Sequence, residues 1–343
     1  MSKPVVAFFN NKGGVGKTSL VYHLAWMYAD LGVRVVAADL DPQANLSAAF
    51  LDEDRLAMLW SENNDRQTIW GAIQPLLRGI GDVHAPHLEL IDERLVLLVG
   101  DLALSGFEDQ LSEVWPKCLD GDERSFRVIS AFWRVMQQAA ELHEADLILV
   151  DLGPNLGAIN RAALISSDSV VVPLSPDLFS LQGLRNLGPR LRRWREDWQQ
   201  RLQKNPAPDL SLPAGRIEPL GYIVVQHSVR LDRPVKAYQR WITQIPSVYQ
   251  SEVLHEAATA NLSIVNDPSN LALMKHYQSL MPLSQEAHKP IFYLKPADGA
   301  TGAHTYAVQK VYEDFKALAV KIAQRIQLDV PNSLLRVFLK LKL

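Results

Sequence analysis

Residues 5 to 19 read Val-Val-Ala-Phe-Phe-Asn-Asn-Lys-Gly-Gly-Val-Gly-Lys-Thr-Ser. Five apolar residues followed by a glycine-rich segment ending in Lys-Thr describe a buried strand that runs into a phosphate-binding loop. Gly13, Gly14 and Gly16 lack a Cβ, so the backbone there is expected to take positive φ and approach a phosphate closely. The N–H groups of this stretch, that of Val15 included, then face inward as an anion nest at a helix N-terminus. Lys17 is expected to reach the β- and γ-phosphates, Thr18 to offer its hydroxyl to Mg²⁺, and Ser19 to help at the α-phosphate. Leu20, Leu24, Met27 and Leu31 recur at helical spacing and predict a helix over 17–31. One residue is out of the ordinary. Phosphate loops read G-x-x-x-x-G-K-[ST]; here the pattern is intact only from Gly13 on, and Lys12 stands just before it.

Two further segments belong with the loop. Residues 34–39, Arg-Val-Val-Ala-Ala-Asp, read as a second buried strand, followed by Leu40-Asp41-Pro42-Gln43-Ala44-Asn45. Asp39 and Asp41, one residue apart at a strand's end, share one side of the chain. They can reach the water shell of a metal or the attacking water. Residues 146–151, Asp-Leu-Ile-Leu-Val-Asp, have the Walker B pattern, and Asp151 is expected to hold Mg²⁺ through a water. An apolar strand ending in aspartate is common in isolation; beside a phosphate loop it is the expected partner.

Together, Lys-Gly-Gly-Val-Gly-Lys-Thr (12–18), Asp-Leu-Asp-Pro-Gln-Ala-Asn (39–45) and Val-Asp-Leu-Gly-Pro-Asn-Leu-Gly (150–157) resemble the ParA/MinD family of deviant Walker A ATPases. The likeness is to ParA partition ATPases and their chromosomal Soj-type relatives in particular. It runs well over 3–50 and 145–190 and more loosely to about 328. It implies a Mg²⁺-dependent ATPase, slow by itself and stimulated by a partner. It implies that Lys12 crosses a dimer interface to the other subunit's nucleotide. Asp41 would orient the hydrolytic water, with Asp39 as a nearby switch aspartate. A lysine donated in trans makes the charge on the equatorial oxygens conditional on dimerisation, so ATP becomes a timer for association. Gly153 stands where the family often has Pro or Ala. The base pocket of the family usually opens with Asn or Thr after the strand expected at 219–225; here Gln226 stands there, as an adenine reader or a capping side chain.

Composition narrows the alternatives. The chain has 343 residues and a net charge of −3, so affinity for nucleic acid or anionic membrane has to come from a local patch. A single cysteine, Cys118, excludes a disulfide framework and suits a reducing cytoplasm. It also excludes the nitrogenase iron-protein branch of the resemblance, which needs two cysteines per subunit. No signal peptide or membrane-length apolar run is visible. No HEXXH, Cys/His cluster or G-x-S-x-G elbow is present.

Strands are expected at 4–9, 34–39, 94–99, 146–151, 169–173 and 219–225. Helices are expected at 17–31, 67–79, 125–143, 157–166, 178–203 and 303–327. Their alternation gives an α/β fold, a doubly wound, mostly parallel sheet flanked by helices, with ligands at the C-terminal strand ends. Residues 1–330 read as one ATPase domain with an elaboration at 51–93, and 331–343 as an apolar-basic tail.

The second partner is sought on two surfaces. Arg185, Arg190, Arg192, Arg193, Arg195, Arg201 and Lys204 crowd one helix, with Trp194 and Trp198 a turn apart. Arginines on one face bind DNA phosphates without sequence preference; the alternative is a solvated face with tryptophans in the core. Arg230, Arg233, Lys236 and Arg240 can extend that patch. In the tail, Leu334, Val337, Phe338 and Leu341 share a helical face, which the MinD-like alternative would lay on a membrane; Lys342 falls on that same face. The resemblance implies a homodimer in the ATP state, non-specific DNA binding in the nucleoid, and a ParB-like or other cargo adaptor. A metabolic ATP-dependent enzyme and a regulatory or defence switch are the other readings.

Overall fold

The apolar runs that lead into the motifs lie side by side. The computed structural model describes residues 2–61, 66–226, 240–275, 277 and 280–331. Among these, β1 (Val5–Phe8), β2 (Val35–Asp39), β3 (Glu89–Asp92), β4 (Leu95–Leu98), β5 (Leu147–Asp151), β6 (Ser169–Leu174), β7 (Glu218–Gln226) and β8 (Asn270–Lys275) form one sheet. Its order is β3-β4-β2-β5-β1-β6-β7-β8. Every pairing is parallel except β3 with β4. The chain builds outward on one side of β1, returns to the centre with β5, and continues on the other side with β6. In register, Phe8 and Asp39 both pair with Asp151, which brings three strand ends together.

Strands buried on both faces need apolar residues at every position. β1, β2 and β5 meet that demand, being buried throughout. Alternate residues feed opposite faces. Val5, Ala7, Val36 and Ala38 enter one apolar cluster, and Val6, Phe8, Val35 and Ala37 the other.

The helices are α1 (Lys17–Asp30), α2 (Asn45–Phe50), α3 (Glu53–Leu59), α4 (Ile69–Leu77), α5 (Phe107–Lys117), α6 (Glu123–Ile129), α7 (Ala131–Leu142), α8 (Ala158–Ile165), α9 (Leu178–Leu202), α10 (Ile245–Val248), α11 (Leu280–Glu286) and α12 (Ala303–Arg325). The first cluster packs under α4 to α9, the second under α1 to α3 and α12. The helix expected over 125–143 is two helices. Ser130, at φ −87° and ψ 0°, separates them, and its hydroxyl donates to the Phe126 carbonyl at 2.7 Å. Such back-bonding bends or breaks a helix.

The stretch 51–93 packs on the body through α3, α4 and β3. Arg127 and Arg134 both reach Asp82, at 2.5 and 2.7 Å, and fix its loop to the α6–α7 junction. The tail 333–343 and Arg230, Arg233 and Lys236 lie outside the described residues. No helix among the described residues is long and apolar enough to cross a membrane.

Candidate nucleotide and metal site

The loop at the end of β1 is built for an anion. Gly14 and Gly16 take positive φ, 71° and 82°, and Gly16 ends the loop as the residue before α1, with no side chain capping the helix. The open N–H groups of α1's first turn therefore face the cleft. Gly13, expected to share the positive φ, does not; it lies beside Pro154, whose Cγ would be at an ordinary contact distance of 3.9 Å from an added Cβ. Val15 is buried beneath the loop.

Lys17 is buried, which lowers its pKa; the carboxylates of Asp151 and Asp41 act in the opposite direction and favour its charge. Thr18 donates its hydroxyl to Asp151 Oδ2 at 2.6 Å. The other oxygen of Asp151 is buried and has no hydrogen-bond partner. Burial raises the Asp151 pKa to about 8, with the charge of Asp39 adding to it. Asp39 is raised to about 7, again chiefly by burial. It accepts from the backbone N–H and the hydroxyl of Ser47, both at 2.8 Å, and from Asp41 N–H at 3.2 Å. Asp41, also buried, accepts from Gln43 N–H at 3.0 Å and lies against Gly153.

Thr18, Asp39, Asp41 and Asp151 thus converge beside Lys17. An unpartnered buried carboxylate oxygen next to a threonine hydroxyl is what a Mg²⁺ ion needs. Mg²⁺ takes one or two protein oxygens and completes its shell with phosphate and water. The residues fit that ion. The chemistry it would supply is neutralisation of phosphate charge; Lys17 would add a second cation, and Asp41 would be the carboxylate available to orient a water.

Lys12 is tied elsewhere. Its ammonium pairs with Asp177, just ahead of α9, and its N–H donates to Asn10 Oδ1 at 3.0 Å. Asn10 in turn donates to the Pro173 carbonyl at 2.7 Å, which pins the loop to the end of β6.

Two hollows flank the loop and share Gly14, Gly16, Ser19 and Met281 on their walls. A cleft of about 620 Å³ is bordered by Gly13, Lys17, Thr18, Asp41, Pro154 and Gln285. A slot of about 120 Å³ lies between Gly16, Ser19, Val225, Met274, Tyr277 and Met281. Ser19 stands at the joint, its hydroxyl 3.8 Å from Met281 Sδ. The backbone of Gln226 ends β7 opposite Lys275; its side chain lies outside the described residues. Met274, Tyr277 and Met281 of the slot were not identified from the sequence, because β8, α11 and the residues between them carry no motif.

Other supports also escaped the sequence reading. Ser47 accepts Gly100 N–H at 2.8 Å while holding Asp39. Glu108 of α5 accepts from Ala158 N–H and Ile159 N–H, at 2.5 and 2.9 Å, and so caps α8 in place of a local residue. Asn160 donates to the carbonyls of Gly153 and Asn155, at 2.8 and 2.7 Å. The loop that follows Asp151 is thereby held from two sides. Asn10 and Ser47 sit beside the quoted motifs; Glu108, on a different helix, leaves no local signal.

On α9 the basic residues divide. Arg192 donates to the Glu252 carbonyl at 2.5 Å, Arg195 to the Ile217 carbonyl at 2.6 Å, and Arg201 is buried over the Trp115 ring. Trp194 and Trp198 are core. Arg185, Arg190, Arg193 and Lys204 remain exposed.

A family model described as an AAA domain, AAA_31, matches residues 3–204. The chromosome partitioning protein ParA of Caulobacter vibrioides is 28% identical over 202 residues, 58% of this chain and 66% of that protein. Matches to the first curated relatives span between 41% and 70% of their own lengths. Protein DIP2308 from Corynebacterium diphtheriae shares the fold with TM-score 0.68 and 23% identity, covering 94% of this chain and 98% of that one. A putative plasmid partition protein from Borrelia burgdorferi, bound to AMPPNP, does so with TM-score 0.55 and 16% identity, covering 93% and 99%.

Proposed function

The chain belongs to the AAA_31 family of ParA-like partition ATPases, and from that premise we propose that it hydrolyses ATP with Mg²⁺ and uses the cycle to make and break a face-to-face dimer. The observation that carries this reading is the convergence of Lys17, Thr18, Asp41 and the unpartnered oxygen of Asp151 at three adjacent strand ends. Lys17 and the loop N–H groups bind the phosphates. Asp41 orients the attacking water. Lys12, released from Asp177, supplies charge to the nucleotide of the second copy. The dimer binds DNA non-specifically through exposed cations, among them Arg185, Arg190 and Arg193, and a ParB-like or other cargo adaptor accelerates hydrolysis and resets it. The protein then works in the cytoplasm on the nucleoid.

Lys17→Ala is expected to abolish nucleotide binding measured by a fluorescent ATP analogue. Asp41→Ala is expected to bind ATP normally and to lower kcat about a hundredfold, as loss of a positioned base does; turnover at the wild-type rate would remove Asp41 from the mechanism. Binding to random DNA in ATP against ADP, followed with salt, tests the output. Pelleting with anionic vesicles in place of DNA would move the reading to a membrane-cycling positioner.

A further inference from the structure

Where Asp177 meets Lys12 of the phosphate loop, the surface carries a patch that the chemistry above leaves unused. Directly after Asp177, at the start of α9, Leu178 and Phe179 are 48% and 72% exposed. Single exposed apolar residues are ordinary. These two are adjacent, and they sit next to the carboxylate that holds Lys12. Asp177 uses its two oxygens for different purposes: Oδ1 accepts from Ser180 N–H at 2.9 Å and caps α9, while Oδ2 pairs with Lys12. Pro154 and Asn155, on the neighbouring loop after Asp151, are exposed as well.

We propose that Leu178 and Phe179 are the apolar anchor for a second copy of this chain, and that Asp177 is a latch that retains Lys12 until that copy arrives. The inference rests on the dimer reading above. A two-fold contact sets a patch against itself, so the patch has to be self-complementary. An apolar centre meets that condition, because it needs no opposite charge on the facing copy. The latch is weak enough to open. Lys12 and Asp177 are both partly exposed, with side chains 27% and 36% accessible, and such a pair contributes about 1 kcal/mol or less. The several negative charges of a triphosphate outweigh one half-solvated carboxylate, so Lys12 exchanges partners once a nucleotide-loaded copy is opposite. Opening costs little in structure, because the cap on α9 uses the other oxygen.

The test is sedimentation velocity with Mg²⁺ and a slowly hydrolysed ATP analogue, over a range of protein concentrations. Wild type, Phe179→Ser, Phe179→Leu and Asp177→Asn are compared. Phe179→Ser is expected to weaken dimerisation at least about tenfold, as loss of a buried aromatic anchor does, and Phe179→Leu to restore most of it. Asp177→Asn keeps a good helix cap and is expected to tighten dimerisation about threefold by weakening the latch. Nucleotide affinity of the monomer stays unchanged in the Phe179 variants. A wild-type chain that stays monomeric at every concentration overturns the dimer reading itself. A wild-type chain that dimerises, with Phe179→Ser equally tight or Asp177→Asn no tighter, overturns this inference and leaves that reading standing.

Discussion

Asp39 shows how closely single side chains are specified around the cleft. It is buried, its pKa is raised to about 7 by that burial, and three donors hold it. Its neighbour Gly100 has no room for a side chain: an added Cβ would lie 2.8 Å from Asp39 Cγ and 3.1 Å from its Cβ. The Cβ of Asp39 belongs to the strand and cannot swing away. Gly100→Ala is therefore expected to push Asp39 off Ser47 and to cost about 2 kcal/mol, within the range for overpacking a core. Urea unfolding would measure that loss, with a parallel fall in ATP turnover. The sequence placed Asp39 at the site through its motif. It did not show Gly100, because that glycine comes from the end of β4, sixty residues further on in the chain.

Two contacts at the level of elements fix helices against distant parts of the chain. The first is the cap of α8. Glu108 supplies two acceptors to the first N–H groups of that helix, across from α5. Glu108→Ala leaves both donors partly buried and unpaired, and is expected to cost about 1 to 2 kcal/mol. Hydrogen exchange at Ala158 and Ile159 should rise with it, and wild-type protection there would show that the cap contributes nothing. The second contact is α9 against residues 249–254. Gly188 approaches so closely that an added Cβ would lie 1.9 Å from the Glu252 carbonyl oxygen. Gly188→Ala must part the two backbones, and about 3 kcal/mol of stability is expected to go with it. Neither segment yields to local reading: 107–117 is a largely polar helix, and 249–254 is a π-helical turn. Strands β3 and β8 were overlooked for a related reason. Both lie at the edges of the sheet, where one face or one side needs no apolar partner, so their sequences alternate weakly.

At the scale of the molecule, one buried histidine joins the phosphate loop's helix to the C-terminal third. His23 Nδ1 donates to the Ser19 carbonyl at 2.7 Å, and Nε2 accepts from Ile291 N–H at 3.1 Å. The ring stacks on Phe315 of α12, 4.9 Å between centroids. Both nitrogens are committed to the neutral form, and burial lowers its pKa from 6.5 to about 4. Unfolded, His23 takes up a proton near pH 6.5; folded, it does so only near pH 4. Stability from this residue is complete above pH 6.5 and is lost as the pH falls to 4, on the order of 3 kcal/mol in all. Urea unfolding of wild type and His23→Gln at pH 7 and pH 4.5 isolates the effect. The gap between the two proteins should narrow at the lower pH; a constant gap would contradict the assignment. Asp30 makes the same long connection, accepting from Tyr293 and Tyr312 hydroxyls at 2.7 and 2.8 Å. The far third of the chain is thus anchored to α1 by polar contacts whose partners lie more than 250 residues apart.

The sequence by itself determined the phosphate loop, the aspartates at two strand ends, the six interior strands and the alternation of strands with helices. These depend on local chemistry: glycines where the backbone needs φ above zero, apolar runs where both faces are buried, carboxylates where a strand stops. It also overstated the basic face of α9, since charge along a helix does not reveal which arginines reach carbonyls of other segments. The tertiary structure alone decided that division, the apolar slot behind Ser19, the cap from Glu108, and the pairing of Lys12 with Asp177. Each of these joins residues distant in the chain, and such contacts follow from how sheet and helices are stacked rather than from any pattern within a segment.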